Sequence, residues 1–195
     1  MSDSRIKTAT GPTILLGSGH YLDFLDPAGS RFTLLDIARG LGNACRFAGQ
    51  CDRFYSVAEH SWHASWLVPQ PLAFAALMHD ATEAFIGDMT RPLKSLMPAY
   101  KQIEQDIANI IAHRFLLGDQ CEHPLVKRAD LQLLAAEQQE MMPPHDDTWS
   151  CLEGITVPAI DWKHWSPVDA ANNWLSRAES LIGRFPGHDV EDLLS

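Results

Sequence analysis

Apolar residues recur at intervals of three and four along most of this chain, and prolines and glycines cut that pattern into pieces of helix length. Side chains three and four apart share a helix face, so the pattern favours helices packed on one another over a sheet. Before it begins, residues 11–33 carry much of the early Gly and Pro around short apolar pieces at 14–16 and 21–25, which reads as an irregular arm or small hairpin. Thr33 then suits the N-cap of a helix bearing Leu34, Leu35, Ile37, Ala38 and Leu41, ending near Gly40 and Gly42 or running on to Phe47. A second segment covers 56–67 and is bounded by Pro69. Pro71 suits the first turn of a third, which continues through Ala84 or Phe85 until Gly87 stops it. A loop over 87–92 leads past Lys94 and Pro98 to a long amphipathic helix, roughly 98–116, and another runs from Pro124 to about Met142, where Pro143 and Pro144 end it. Residues 143–163 are loop-rich. Ser166 and Pro167 read as N-cap and first residue of a last helix reaching about Phe185, and the tail after Pro186 is polar. With no internal repeat and no long linker, the expectation is one predominantly α-helical domain over 1–195.

Composition then removes whole classes of function. The chain has 195 residues, 46% of them hydrophobic, enough for a sizeable core. Its 15 Lys and Arg against 25 Asp and Glu give a net charge of −10, which disfavours long nucleic acid and acidic membrane surfaces as partners. No run of 18 apolar residues and no apolar signal region near Met1 occurs, so a cytoplasmic protein is expected. Cys45, Cys51, Cys121 and Cys151 form no C-x-x-C pair and read as free thiols filling the core.

The chemistry gathers around Met78-His79-Asp80-Ala81-Thr82-Glu83. On a continuous helix His79 and Glu83 are i and i+4, and Asp80 and Glu83 are i and i+3, so all three project from neighbouring parts of one face. The apolar run 72–78 before them places this face at the inner end of a core helix, where imidazole and carboxylate are costly unless paired or metal-bound. His60 lies on the preceding segment, and a short turn at Pro69 and Pro71 could bring it opposite His79. Asp130 shares a stripe with Leu125, Val126, Ala129, Leu133 and Leu134. His63, three residues from His60, is an alternative ligand. Each signal alone has a bland reading: a satisfied core histidine, a Glu83 salt bridge to Arg46 or Arg91, an Asp88 that caps the next turn, a solvated Lys94. His20, His113, His123, His145, His164 and His188 read as surface or capping residues. Trp62, Trp66, Trp149, Trp162, Trp165 and Trp174 read as packing, with Trp62 as a candidate pocket border.

Taken jointly, His60, His79-Asp80 and Asp130 resemble the H…HD…D signature of the HD-domain metal-dependent phosphohydrolases. The segments Asp36-Ile37-Ala38-Arg39, Cys45-Arg46-Phe47-Ala48-Gly49, Phe54-Tyr55-Ser56-Val57-Ala58-Glu59-His60 and Leu77-Met78-His79-Asp80-Ala81-Thr82-Glu83-Ala84 look like the phage and prophage-associated branch. That branch is similar to the bacterial 5′-deoxynucleotidases and phage dATP triphosphohydrolases, and the likeness covers about residues 13–142. It implies an all-α HD bundle with its motif core over about 33–142. It also implies one divalent metal ion, with Co, Mn, Zn, Mg, Fe and Ni undistinguished, held by His60, His79, Asp80 and Asp130.

The implied reaction is hydrolysis of a phosphate ester or anhydride on a small nucleotide, preferably a deoxynucleotide, by metal-activated water. Glu83 matches the family's catalytic acid/base and Asp88 an acid close to substrate. Lys94 matches a basic residue of the loop that carries Asp88, and Arg46 matches the arginine on the phosphate or sugar. Phe47 stands where the deoxynucleotidases place a Trp, keeping an aromatic face without the indole N–H. Related enzymes often associate, so a homo-oligomer is expected. A dATP or dNTP triphosphohydrolase is the alternative, and it needs further basic groups, with Lys101, Lys127 and Arg128 as candidates. A non-catalytic nucleotide sensor is the alternative of another class, and it has no need of Glu83.

Overall fold

The computed structural model describes residues 11–182. The polar start of the chain, the end of the last predicted helix at Phe185, and the tail with His188 lie outside the described residues.

The arm is a hairpin. Thr13–Leu15 (β1) and Tyr21–Asp23 (β2) pair antiparallel with Ile14 opposite Leu22. Leu22 is fully buried, and this alternation pins the hairpin to the core. Leu34–Asn43 (α1) opens with a reciprocal capping box: Thr33 Oγ1 accepts the Asp36 N–H at 3.1 Å, and Asp36 Oδ2 accepts the Thr33 N–H at 2.9 Å. Asp36 Oδ1 also accepts the Ser18 N–H at 2.8 Å, which ties hairpin to helix.

Of the two endings expected for α1, the shorter forms, because Cys45 leaves the helix to bridge Ser56. Arg46–Gly49 then makes a tight turn in which Phe47 (φ 58°) and Ala48 (φ 51°) are left-handed, a costly conformation for side-chain-bearing residues. Val57–Leu67 (α2) follows, with Ser56 capping it by accepting the Glu59 N–H at 3.1 Å.

The continuous third helix does not form. Ala73–Met78 (α3) and Glu83–Ile86 (α4) are separated by tight turns in which Ala81 N–H bonds Met78 O and Glu83 N–H bonds Asp80 O, three residues back instead of four. His79 Nδ1 donates to the Ala76 carbonyl at 2.8 Å, the acceptor that a regular helix assigns to the Asp80 N–H.

Arg91–Ser95 (α5) is a short helix where a loop was expected. Pro98–Arg114 (α6) and Pro124–Met141 (α7) follow near their expected bounds, and His123 caps α7 by accepting the Leu125 N–H. Pro167–Ile182 (α8) begins after Ser166, whose hydroxyl accepts the Asp169 N–H.

α1 packs on α8, α4 and α2, and α2 packs in turn on α3 and α7. Gly40 and Gly42 allow this closeness: a Cβ would lie 2.3 Å from the Ala84 carbonyl oxygen and 2.6 Å from that of Pro167. One hydrophobic cluster runs from Leu22 to Ile182, with Trp174 buried and its Nε1–H donated to the Leu77 carbonyl. Two packing expectations fail. Trp66 is more than half exposed under the Arg177 guanidinium, which covers its ring in place of core atoms, and Cys151 is exposed on the loop before α8. Among the described residues no helix is long and apolar enough to cross a membrane.

Candidate metal centre

α2 presents His60, the turn after α3 presents His79 and Asp80, and α7 presents Asp130. His60 Nε2 lies 3.3 Å from His79 Nε2, 3.3 Å from Asp130 Oδ1 and 3.5 Å from Asp80 Oδ2. His79 Nε2 lies 3.3 Å from Asp80 Oδ2 and 3.9 Å from Asp130 Oδ1. Ligand bonds of about 2.1 Å set ligand atoms about 3.0–3.4 Å apart at octahedral or tetrahedral angles, so most of these separations are edges of a coordination polyhedron.

The histidine tautomers agree. His60 Nδ1 is 2.5 Å from Glu137 Oε1, and His79 Nδ1 is 2.8 Å from the Ala76 carbonyl. Both partners only accept, so each Nδ1 carries the hydrogen and each neutral ring turns its Nε2 lone pair inward. Two lone pairs facing at 3.3 Å between two carboxylates require a proton or a cation. Burial opposes protonation of His79, yet Asp80 and Asp130 outweigh it and hold its pKa well above the usual histidine range. Burial also opposes ionisation of Asp130, but the two histidines hold it well below the carboxylate range. His60, His79 and Asp130 form a group that could hold a metal ion, with Asp80 Oδ2 beside both histidines.

Glu137, which the sequence reading passed over, is fully buried on α7. Its Oε1 accepts from His60 Nδ1 and from Tyr55 Oη at 2.9 Å, and its Oε2 accepts from Arg46 Nε at 3.2 Å and Nη2 at 3.0 Å. Asp130 and Glu137 are seven residues apart, two helical turns, so a second acid on the apolar stripe was the available signal.

Arg46 itself is buried, and Nη1 points to Asp80 Oδ2 at 3.5 Å. Asp88 Oδ2 accepts the Phe47 N–H at 3.0 Å, so it holds the left-handed turn and does not cap the next one. The Phe47 ring lies beside the Arg46 guanidinium and 6.2 Å from Trp149.

Glu83 begins α4, buried, with Oε2 lacking any hydrogen-bond partner. The salt bridge to Arg46 or Arg91 is not formed. Burial, with Asp80 and Asp88 nearby, pushes its carboxyl well above the usual range. Lys94 is not a solvated charge: its Nζ pairs with Glu104 Oε1 at 2.6 Å.

A cavity of about 440 Å³ opens against His79, Asp80 and Thr82 on one side and α6 on the other. Its charged lining is Lys94 and Lys101 against Asp80, Glu104, Asp119 and Glu122. Lys127 and Arg128 instead line an adjoining hollow with Gly154 and Thr156, and Lys127 pairs with Glu122, which borders both. Cys121 borders the first cavity as a neutral thiol, pushed up to about 11 by burial. His63 turns away from the cluster, with Nε2 3.7 Å from Glu59 Oε1 and its ring against Trp62 and Trp162. Trp62 packs on Trp66 and Trp165 and does not border the cavity.

Fold and site thus define a mainly α-helical protein with a buried His/Asp group able to hold a metal ion. No protein-family model matches the chain. It is 48% identical over 133 residues to protein YfdR of Escherichia coli (strain K12), spanning 68% of this chain and 73% of that protein. It is 33% identical over 137 residues to protein RCAP_rcc00048 of Rhodobacter capsulatus, spanning 64% of this chain and 70% of that protein. The chain belongs to the family of YfdR. Neither relative's name carries an activity, so function rests on the site.

Proposed function

We propose that the chain is a divalent-metal-dependent phosphohydrolase of the HD type that removes phosphate from nucleoside monophosphates, with deoxynucleotides the class implied by its resemblance to the 5′-deoxynucleotidases. The observation that carries this reading is the inward-facing pair of Nε2 atoms of His60 and His79, flanked by Asp80 and Asp130, with His79 and Asp80 bordering a nucleotide-sized cavity. A bound divalent cation supplies positive charge to phosphate oxygens and acidifies water. His60, His79, Asp80 and Asp130 would hold it, and two anionic ligands balance its charge.

Glu83 keeps its proton beside that cluster and can deliver it to the leaving oxygen, the role its unpaired Oε2 and raised pKa suit. Arg46 spends Nε and Nη2 on Glu137, and its Nη1, 3.5 Å from Asp80 Oδ2, would turn to a phosphate oxygen beside that ligand. Phe47 offers an aromatic face to sugar or base.

The cavity's charge favours monophosphate over triphosphate. Of its charged lining, Glu104 is paired with Lys94, Glu122 is paired with Lys127, and Asp80 is a proposed ligand, which leaves Lys101 and Asp119. A triphosphate would bring several further negative charges with little to receive them. The deciding assay offers deoxynucleoside mono- and triphosphates with Mn²⁺, Co²⁺ or Mg²⁺ and measures phosphate and triphosphate separately. The expected result is inorganic phosphate from monophosphates, lost on chelation and restored by metal. Triphosphate as the product would assign the triphosphohydrolase reading, and metal and nucleotide binding without turnover would assign a sensor.

A further inference from the structure

We propose that Glu137 is a positioning residue that couples the candidate metal ligand His60 to Arg46, so that one buried carboxylate sets both the cation site and the phosphate-binding group. The inference rests on the metal reading above and goes beyond its ligand set. Glu137 is fully buried, and its two oxygens accept four hydrogen bonds, from His60 Nδ1, Tyr55 Oη, Arg46 Nε and Arg46 Nη2. Its two sides have separate consequences. Oε1 fixes the His60 tautomer and ring plane, which sends Nε2 toward His79, Asp80 and Asp130. Oε2 grips Arg46 side-on and leaves Nη1 directed at the Asp80 side of the site.

Packing alone does not account for this cluster. Removing a carboxylate, a guanidinium and a phenol from water is costly, and apolar side chains of similar volume commonly stabilise a core as well or better. The arrangement is accounted for when its product is the aim of two groups. Tyr55 supports the joint from the far side: fully buried, it reaches Glu137 and packs edge-on to Trp162, 5.7 Å away. No uncharged residue can replace Glu137 in full. A glutamine at 137 accepts through one atom and donates through the other, so it can serve His60 or Arg46 but not both.

The test uses the full chain and calorimetric titration with Mn²⁺, with the visible absorption of bound Co²⁺ as a second readout. Glu137→Gln is expected to weaken metal binding by about 10–100-fold and to alter the Co²⁺ spectrum, the scale of losing an outer partner to a ligating histidine. It is also expected to raise KM for a phosphomonoester through the misplaced Arg46. Asp36→Asn, at the cap of α1 and outside this cluster, is the control for general destabilisation and is expected to leave metal affinity unchanged. If Glu137→Gln does not fold, Glu137→Asp carries the test: it retains the charge but is too short to reach both partners, and the same loss is expected. A folded position-137 variant that binds Mn²⁺ as the wild type does overturns the inference. So does an equal loss of affinity in Asp36→Asn, which would make the loss an effect of general destabilisation. No metal binding by the wild type would instead overturn the metal reading itself.

Discussion

Glu83 is set apart from its neighbours by what it lacks. Burial opposes the charge on all three acids; the two histidines outweigh it at Asp80 and Asp130 and lower their pKa, whereas Glu83, with an unpartnered oxygen and two like charges nearby, is pushed well above the usual carboxylate range. Glu83→Gln preserves shape and removes the transferable proton. The expected outcome is a fall in kcat of about 10²–10⁴-fold with Mn²⁺ affinity unchanged, measured by phosphate release and calorimetry; unchanged kcat would remove Glu83 from the chemistry. At this scale much was legible in advance. His60, His79, Asp80 and Asp130 were expected together, and they meet within 4 Å of at least one other member. Glu137 and Tyr55 were not foreseen, because neither stands in a motif and their roles exist only where α2, α7 and the Arg46 turn meet.

The elements divide by what ends them. Helices bounded by a cap or a proline lie close to expectation, since Thr33, Ser56 and Ser166 each offer a hydroxyl to an otherwise orphan N–H. The third helix broke where a side chain, His79, took the Ala76 carbonyl, which periodicity does not register. α1 gives the test at this scale. Burial raises the pKa of Asp36, but the hydrogen bonds from Thr33 and Ser18 outweigh it and bring it below its ordinary value. Its contribution is therefore present above the unfolded-chain pKa of about 3.9 and lost as pH falls through the lower folded value. Asp36→Asn is expected to cost about 1 kcal/mol at pH 7, the scale of a helix cap, and the gap from wild type is expected to narrow in thermal or urea melts as pH falls below the ordinary carboxylate value. A gap that widens in acid would contradict the assignment.

The candidate ligands come from three separate stretches of chain, so a cation that links them should stabilise the whole molecule. At a metal concentration 100 times the dissociation constant the gain is about 2.7 kcal/mol, expected as a rise of several degrees in Tm that EDTA reverses. An unchanged Tm across that range would argue that the group holds no ion. The sequence by itself determined the helical class, the hairpin arm as one of two options, most helix starts, and the His and Asp residues of the candidate centre. Those are local properties: periodicity, caps, prolines and the rarity of charged groups on apolar stripes. Only the tertiary structure decided that Glu83 is the unpaired acid, that Glu137 joins His60 to Arg46, that Lys94 is already neutralised, and that Lys127 and Arg128 face another hollow. A charge's role is set by which charges surround it and how much water reaches them, and those neighbours are brought together by packing between elements distant in the chain.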